Sequence, residues 1–126
     1  MYQRLSRSAC FLALSALLAG CQPSPQSTVK GFFKDLEGGE INQAADTLSE
    51  EASQLYGSKL KMGLQQAPEE IEAIGGIKKI EITDEEINGD LAEVAYVIEF
   101  GDGSTESGTM ELIKEDGDWK INPLAK

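Results

Sequence analysis

The sequence predicts an α+β domain: N-terminal helices packed on a curved, four-stranded antiparallel meander. Two observations predict it. Apolar residues recur at helical spacing as far as Gly75-Gly76, then alternate with a period of two from Ile77 onward. The alternating runs are separated by Asn88-Gly89, Gly101-Asp102-Gly103-Ser104 and Asp116-Gly117, short turn signals that join antiparallel neighbours. A chain of 126 residues, 40% of them hydrophobic, has room for one such domain and can pack a core.

Residues 1–20 read as an export signal. Arg4 and Arg7 form a basic start, and Ala9 to Ala19 is a mostly apolar run. It falls short of the roughly 20 residues a membrane-spanning helix needs. Leu18-Ala19-Gly20-Cys21 resembles the bacterial lipoprotein signal, the lipobox. That resemblance implies cleavage between Gly20 and Cys21, and a diacylglycerol on the Cys21 thiol. It also implies a location in the cell envelope, anchored in the bilayer through acylated Cys21. Gln22 follows, with no aspartate to retain the protein in an inner membrane, so the outer membrane facing the periplasm is expected in a Gram-negative host. Two or three acyl chains anchor stably where one is marginal.

The cysteine count then closes. Cys10 leaves with the signal and Cys21 carries lipid, so no thiol remains for a disulfide or a metal. Loss of Arg4 and Arg7 takes the net charge from −11 to −13. Such a chain repels phosphate backbones, which excludes nucleic acid as a partner. Residues 21–27, rich in Pro, Ser and Gln, read as a lipidated tether, with the domain at 28–126.

Ser24 and Pro25 suit the N-cap and first turn of a helix. Val29, Phe32, Phe33 and Leu36 give that helix one apolar stripe, and Gly38-Gly39 ends it. Ile41, Ala44, Ala45 and Leu48 repeat the spacing in a second, shorter helix. Ser49 can cap a third, with Glu50 and Glu51 in its first turn and Ala52, Leu55, Tyr56 and Leu60 as its core stripe. Ala67-Pro68-Glu69-Glu70 starts a short fourth helix.

The strand runs are about Ile77–Ile87, Leu91–Phe100, Thr105–Glu115 and Asp118–Asn122. A two-residue Asp116-Gly117 turn pairs Leu112 with Ile121 and Lys114 with Trp119. A three-residue loop centred on Gly103 pairs Tyr96 with Met110 and places the even-numbered residues of the second strand on the same face. Ile80 and Ile82 have the wrong parity for a simple Asn88-Gly89 hairpin. One extra residue within Thr83–Glu86 restores them, so a β-bulge is expected there.

Ser24-Pro25, Val29-Lys30-Gly31-Phe32-Phe33, Gly38-Gly39-Glu40, Gly75-Gly76-Ile77-Lys78-Lys79-Ile80, Ala92-Glu93-Val94 and Gly117-Asp118-Trp119-Lys120-Ile121 occur in an order similar to a family of small bacterial lipoproteins. These carry a lumazine-binding-like, DUF4878-type domain of the nuclear-transport-factor-2-like (NTF2-like, cystatin-like) cone. The resemblance implies a pocketed scaffold used for enzymes, carriers and interaction modules alike. The region that does the work in such cones lies between helices and sheet. Its candidate lining here is Phe33, Leu36, Tyr56, Met62, Tyr96, Met110 and Trp119, which also suit plain core packing.

Catalytic residues are not expected. The chain has no histidine, and the positions assigned inward, Ala92, Val94, Tyr96, Ile98, Phe100, Met110 and Leu112, include no carboxylate to act as a general base. No metal or other cofactor is expected either. Asp84-Glu85-Glu86 and Glu115-Asp116-Gly117-Asp118 lack the alternating ligand spacing of a calcium loop and read as solvated turns. The expected function is a non-catalytic binding or interaction module, with an envelope protein or small ligand as partner. The alternative is a small-molecule carrier or enzyme using the cavity. Leu91, Ala95, Val97 and Ile113 make the other sheet face half apolar. Both a homodimer surface and partial cover by a helix or the C-terminal tail account for that.

Overall fold

The computed structural model describes residues 23–124. Cys21 and the cleavage point beside Gly20 lie outside the described residues. The described chain forms α1 (Pro25–Glu37), α2 (Ile41–Asp46), α3 (Glu50–Tyr56), α4 (Ser58–Leu64) and α5 (Ala67–Ala73). These are followed by β1 (Ile77–Asn88), β2 (Leu91–Phe100), β3 (Thr105–Glu115) and β4 (Asp118–Ile121). The strands form one antiparallel sheet in chain order.

Ser24 caps α1 reciprocally with Ser27, and Pro25 opens the helix. Gln26 and Ser27, expected in the tether, are therefore the first turn of a helix. Val29, Phe32 and Leu36 of α1 are buried with Ala44, Leu48, Val94, Ile98, Leu112, Trp119 and Ile121 in one core. The helical half is tied to the edge of the sheet. Ile121 donates to the Thr47 carbonyl, Ser49 donates to the Ile121 carbonyl, and Leu48 bridges Ile121 in parallel.

Ser49 caps α3 as expected, its hydroxyl accepting the Ala52 N–H at 3.3 Å. The expected third helix does not run on. Gly57, at φ 49° and ψ −127°, breaks it into α3 and α4. Leu60 and Leu64 still pack on the core. Leu55 and Tyr56, expected in the core stripe, face solvent, because the chain changes direction immediately after them.

The Asp116-Gly117 turn has positive φ at both residues and pairs Leu112 with Ile121 and Lys114 with Trp119, as expected. The bulge falls at Thr83, and it returns Ile80 and Ile82 to the shared face, opposite Ile98 and Tyr96. A second shift lies at Lys78. The first hairpin turns on Gly89-Asp90, since Asn88 pairs with Leu91.

The second hairpin corrects the expected register. Its three-residue loop is centred on Asp102, with Phe100 and Ser104 closing it. Tyr96 therefore faces Gly108, and Met110 faces Val94. The shift is two residues, so no side chain changes face. Asp102 anchors the loop by accepting from the Ser104 N–H and hydroxyl, which lowers its carboxyl pKa.

Candidate functional site

The space between helices and sheet is occupied by side chains. Phe33 meets Tyr96 with ring centroids 5.1 Å apart, and Phe32 meets Phe33 edge-on at 5.6 Å. Of the expected lining, Leu36, Tyr96 and Trp119 are buried, and Phe33 and Met110 pack against the core while partly exposed. Tyr56 and Met62 do not belong to this group. They are 46% and 64% exposed, a consequence of the break at Gly57.

The openings at the surface are grooves. One of about 440 Å³ lies beside α1, bordered by Pro23, Phe32, Asp46 and Trp119. Another, of about 480 Å³, is bordered by Met110, Ile121 and Pro123. Buried polar character among the described core residues is confined to Ser49, whose hydroxyl is occupied as a helix cap. No group of acids and cysteines among the described residues is arranged to hold a metal ion.

Tyr96 is the inward-facing ionisable group on β2. Burial raises its pKa above the ordinary tyrosine value, and Glu106 at the rim of the same face adds to the shift. Its ring lies across Gly108, where a Cβ would stand 2.7 Å from the phenol oxygen. Lys114 extends over the Trp119 ring, 5.5 Å from its centroid.

The acidic clusters have work that the linear sequence hid. Asp84, Glu85 and Glu86 lie within β1, not in a turn. The bulge at Thr83 puts Glu85 opposite Val94, on the helix side of the sheet. Its carboxylate accepts the Gln26 N–H at 3.0 Å and so closes the N-terminus of α1. Glu115 does the same for α3 through the Glu50 N–H. Glu37 accepts the Ile77 N–H at 2.7 Å where the helices hand over to the sheet. The signal for Glu85 was the bulge itself, because its added residue reverses the facing of everything after it.

On the outer face, Glu86, Glu93 and Glu111 stand side by side across three strands. Leu91 beside them is 57% exposed, and Ile113 is partly covered. Like charges directly opposite one another destabilise a sheet, so this row is tolerated at a cost.

Helices followed by a bulged antiparallel sheet whose inner face packs on the first helix define an NTF2-like α+β cone. The chain belongs to the DUF4878 family, a domain of unknown function, whose model matches residues 19–122. A solved structure from Campylobacter jejuni, described as a candidate NTF2-like transpeptidase, is similar at TM-score 0.68 and 24% identity. The match covers 79% of this chain and 98% of that one. A SEC-C motif-containing protein from Rhodopseudomonas palustris is similar at TM-score 0.62 and 15% identity, covering 86% of this chain and 84% of that one. At these identities the likeness is one of fold. No curated protein matches the sequence.

Proposed function

We propose that this protein is an envelope lipoprotein, held in the bilayer by acylated Cys21, whose NTF2-like domain is a non-catalytic binding module. The observation that supports the non-catalytic reading is the filled interior. Phe32, Leu36, Tyr96, Ile98, Leu112 and Trp119 occupy the space where such a cone would hold a substrate. A general base needs a carboxylate or imidazole poised near a reacting group. On the helix side, Glu85 is committed to the first turn of α1, and Glu106 is exposed at the rim.

The anchoring half of the proposal rests on Leu18-Ala19-Gly20-Cys21 and the apolar run before it. No helix among the described residues is long and apolar enough to cross a membrane. The partner is an envelope protein rather than a second copy of the domain. A two-fold contact centred on the row Glu86, Glu93 and Glu111 would bring these acids against their own counterparts, which disfavours a second copy there.

A second reading, an enzyme, is favoured by the description of the Campylobacter neighbour. Acyl transfer requires an activated nucleophile. Here the buried Ser49 hydroxyl is taken up by the Ala52 N–H.

Two measurements decide between these readings. Mass spectrometry of the protein from membranes should find an acylated Cys21 as the first residue, and Cys21→Ser should abolish outer-membrane recovery while leaving the fold intact. An unmodified N-terminus would refute the anchor. Native mass spectrometry of the protein from expressing cells should find the bare polypeptide mass apart from lipid. A stoichiometric small molecule would favour the carrier or enzyme.

A further inference from the structure

We infer that the α3–α4 corner is a second membrane contact, which lays this face of the domain on a bilayer carrying anionic lipid. The chain is strongly acidic, yet from Ala52 to Pro68 it holds no Asp or Glu, and its only charges are Lys59 and Lys61. Both lysines are exposed, and neither forms an ion pair among the described residues. Leu55, Tyr56 and Met62 stand exposed in the same stretch, with Leu55 at 65%. They account for three of the five large hydrophobic side chains that are exposed among the described residues.

The chemistry fits a lipid surface. Aliphatic side chains enter the acyl boundary, tyrosine favours the headgroup level, and lysine heads reach anionic headgroups over their apolar stems. The net charge of the whole domain does not forbid the contact. Charges are screened over about 8–10 Å, so the bilayer responds to the corner that touches it. The nearest acids border the corner: Glu51 is one turn, about 6 Å, from Leu55, Glu50 is about 9 Å from Tyr56 at the helical rise, and Asp46 shares a groove with Lys61, so the two lysines must outreach them to the headgroups.

Position supports the same occupant. Asp46 borders two grooves, one shared with Pro23 and the next shared with Gly57 and Lys61. The corner and the start of the described chain therefore lie on one side of the domain. α1 begins at Pro25, so an anchor at Cys21 would leave only Gln22, Pro23 and Ser24 between lipid and helix. A tether that short brings this side to the membrane, and its local concentration makes a weak patch effective. The inference uses the proposed anchoring only for that concentration, so the test supplies the tether independently.

The test uses the mature chain, residues 21–126 with Cys21→Ser, held by an N-terminal histidine tag in place of the lipid on vesicles containing nickel-chelating lipid and phosphatidylglycerol. A polarity-sensitive fluorophore is attached at Met62→Cys, and in a control at the exposed Glu69→Cys on α5. The Met62 label should shift to the blue and brighten on the vesicles, and the Glu69 label should not. Lys59→Glu with Lys61→Glu should cancel the response, as should replacing phosphatidylglycerol with phosphatidylcholine. Each lysine is expected to contribute about fivefold to the partitioning at an anionic surface. Unchanged Trp119 emission shows that the variants are folded. A Met62 label no different from the Glu69 label overturns the inference. A response indifferent to the lysines and to lipid charge, or one that needs an added envelope protein, overturns it too.

Discussion

Tyr96 on β2 lies directly across the sheet from Gly108 on β3, and its ring fills the space a side chain there would occupy. Gly108 is needed for that room. A methyl group would stand 2.7 Å from the phenol oxygen and 3.0 Å from the ring carbon that bears it. Tyr96 in turn packs on Phe33, so the pair sets how closely α1 approaches the sheet. Gly108→Ala should destabilise by about 1–3 kcal/mol, the usual cost of overpacking. Combining it with Tyr96→Phe should recover part of the loss, because the nearest atom is then removed. A double-mutant cycle in urea measures this, and strict additivity would show that the two positions do not meet.

A second glycine contact joins the two halves of the chain. Gly101 donates to the Gly76 carbonyl, Asp102 donates to the Ile74 carbonyl, and a Cβ on Gly101 would collide with the Gly75 carbonyl. Both neighbours in that collision are backbone, so nothing can rotate aside. Gly101→Ala should cost at least as much as Gly108→Ala, about 3 kcal/mol or more. Gly103→Ala in the same loop meets no neighbouring atom but must hold φ at 90°, so its cost is conformational and smaller, about 1 kcal/mol. Thermal melts of the two variants should separate in that order.

Trp119 is buried against α1 on the short strand β4, with Lys114 over one face. Trp119→Ala should cost about 3–5 kcal/mol. Against a typical total of about 5–15 kcal/mol, the variant would be partly unfolded at moderate temperature. Far-ultraviolet circular dichroism against urea measures it, and a midpoint shift no larger than that of Leu55→Ala would contradict the burial.

The raised pKa of Tyr96 has a consequence at high pH. The unfolded tyrosine titrates near 10.0, and the folded one higher, because burial and then Glu106 oppose the phenolate. This contribution to stability is fully present below the unfolded pKa. It is lost as pH rises from there through the folded value. Glu106→Gln should lower the folded pKa while leaving the larger effect of burial in place. Ultraviolet titration of phenolate absorbance checks both, and a Tyr96 that ionises at or below the ordinary tyrosine value would refute the burial argument.

Strand facing was legible because alternation has a period of two. Tyr96, Met110, Leu112, Trp119 and Ile121 share a face for that reason, and the wrong parity of Ile80 and Ile82 announced the bulge at Thr83. The same periodicity cannot register a shift of two. The β2–β3 pairing was therefore decided by the Gly101-Asp102-Gly103 loop docking on Gly75-Gly76, a contact between segments remote in the chain. Leu55 and Tyr56 fit a helical core stripe by spacing alone, and Met62 was expected in the pocket lining. Gly57 turned them outward, because its backbone angles redirect the helix and only the completed fold shows which face meets the core. Composition and local periodicity thus determined the element types, the apolar faces and the caps at Ser24 and Ser49, since each depends on neighbours within a turn or two. The tertiary structure decided the register, the Glu85 cap on α1 and the filled interior, since each depends on which distant atoms arrive at the same place.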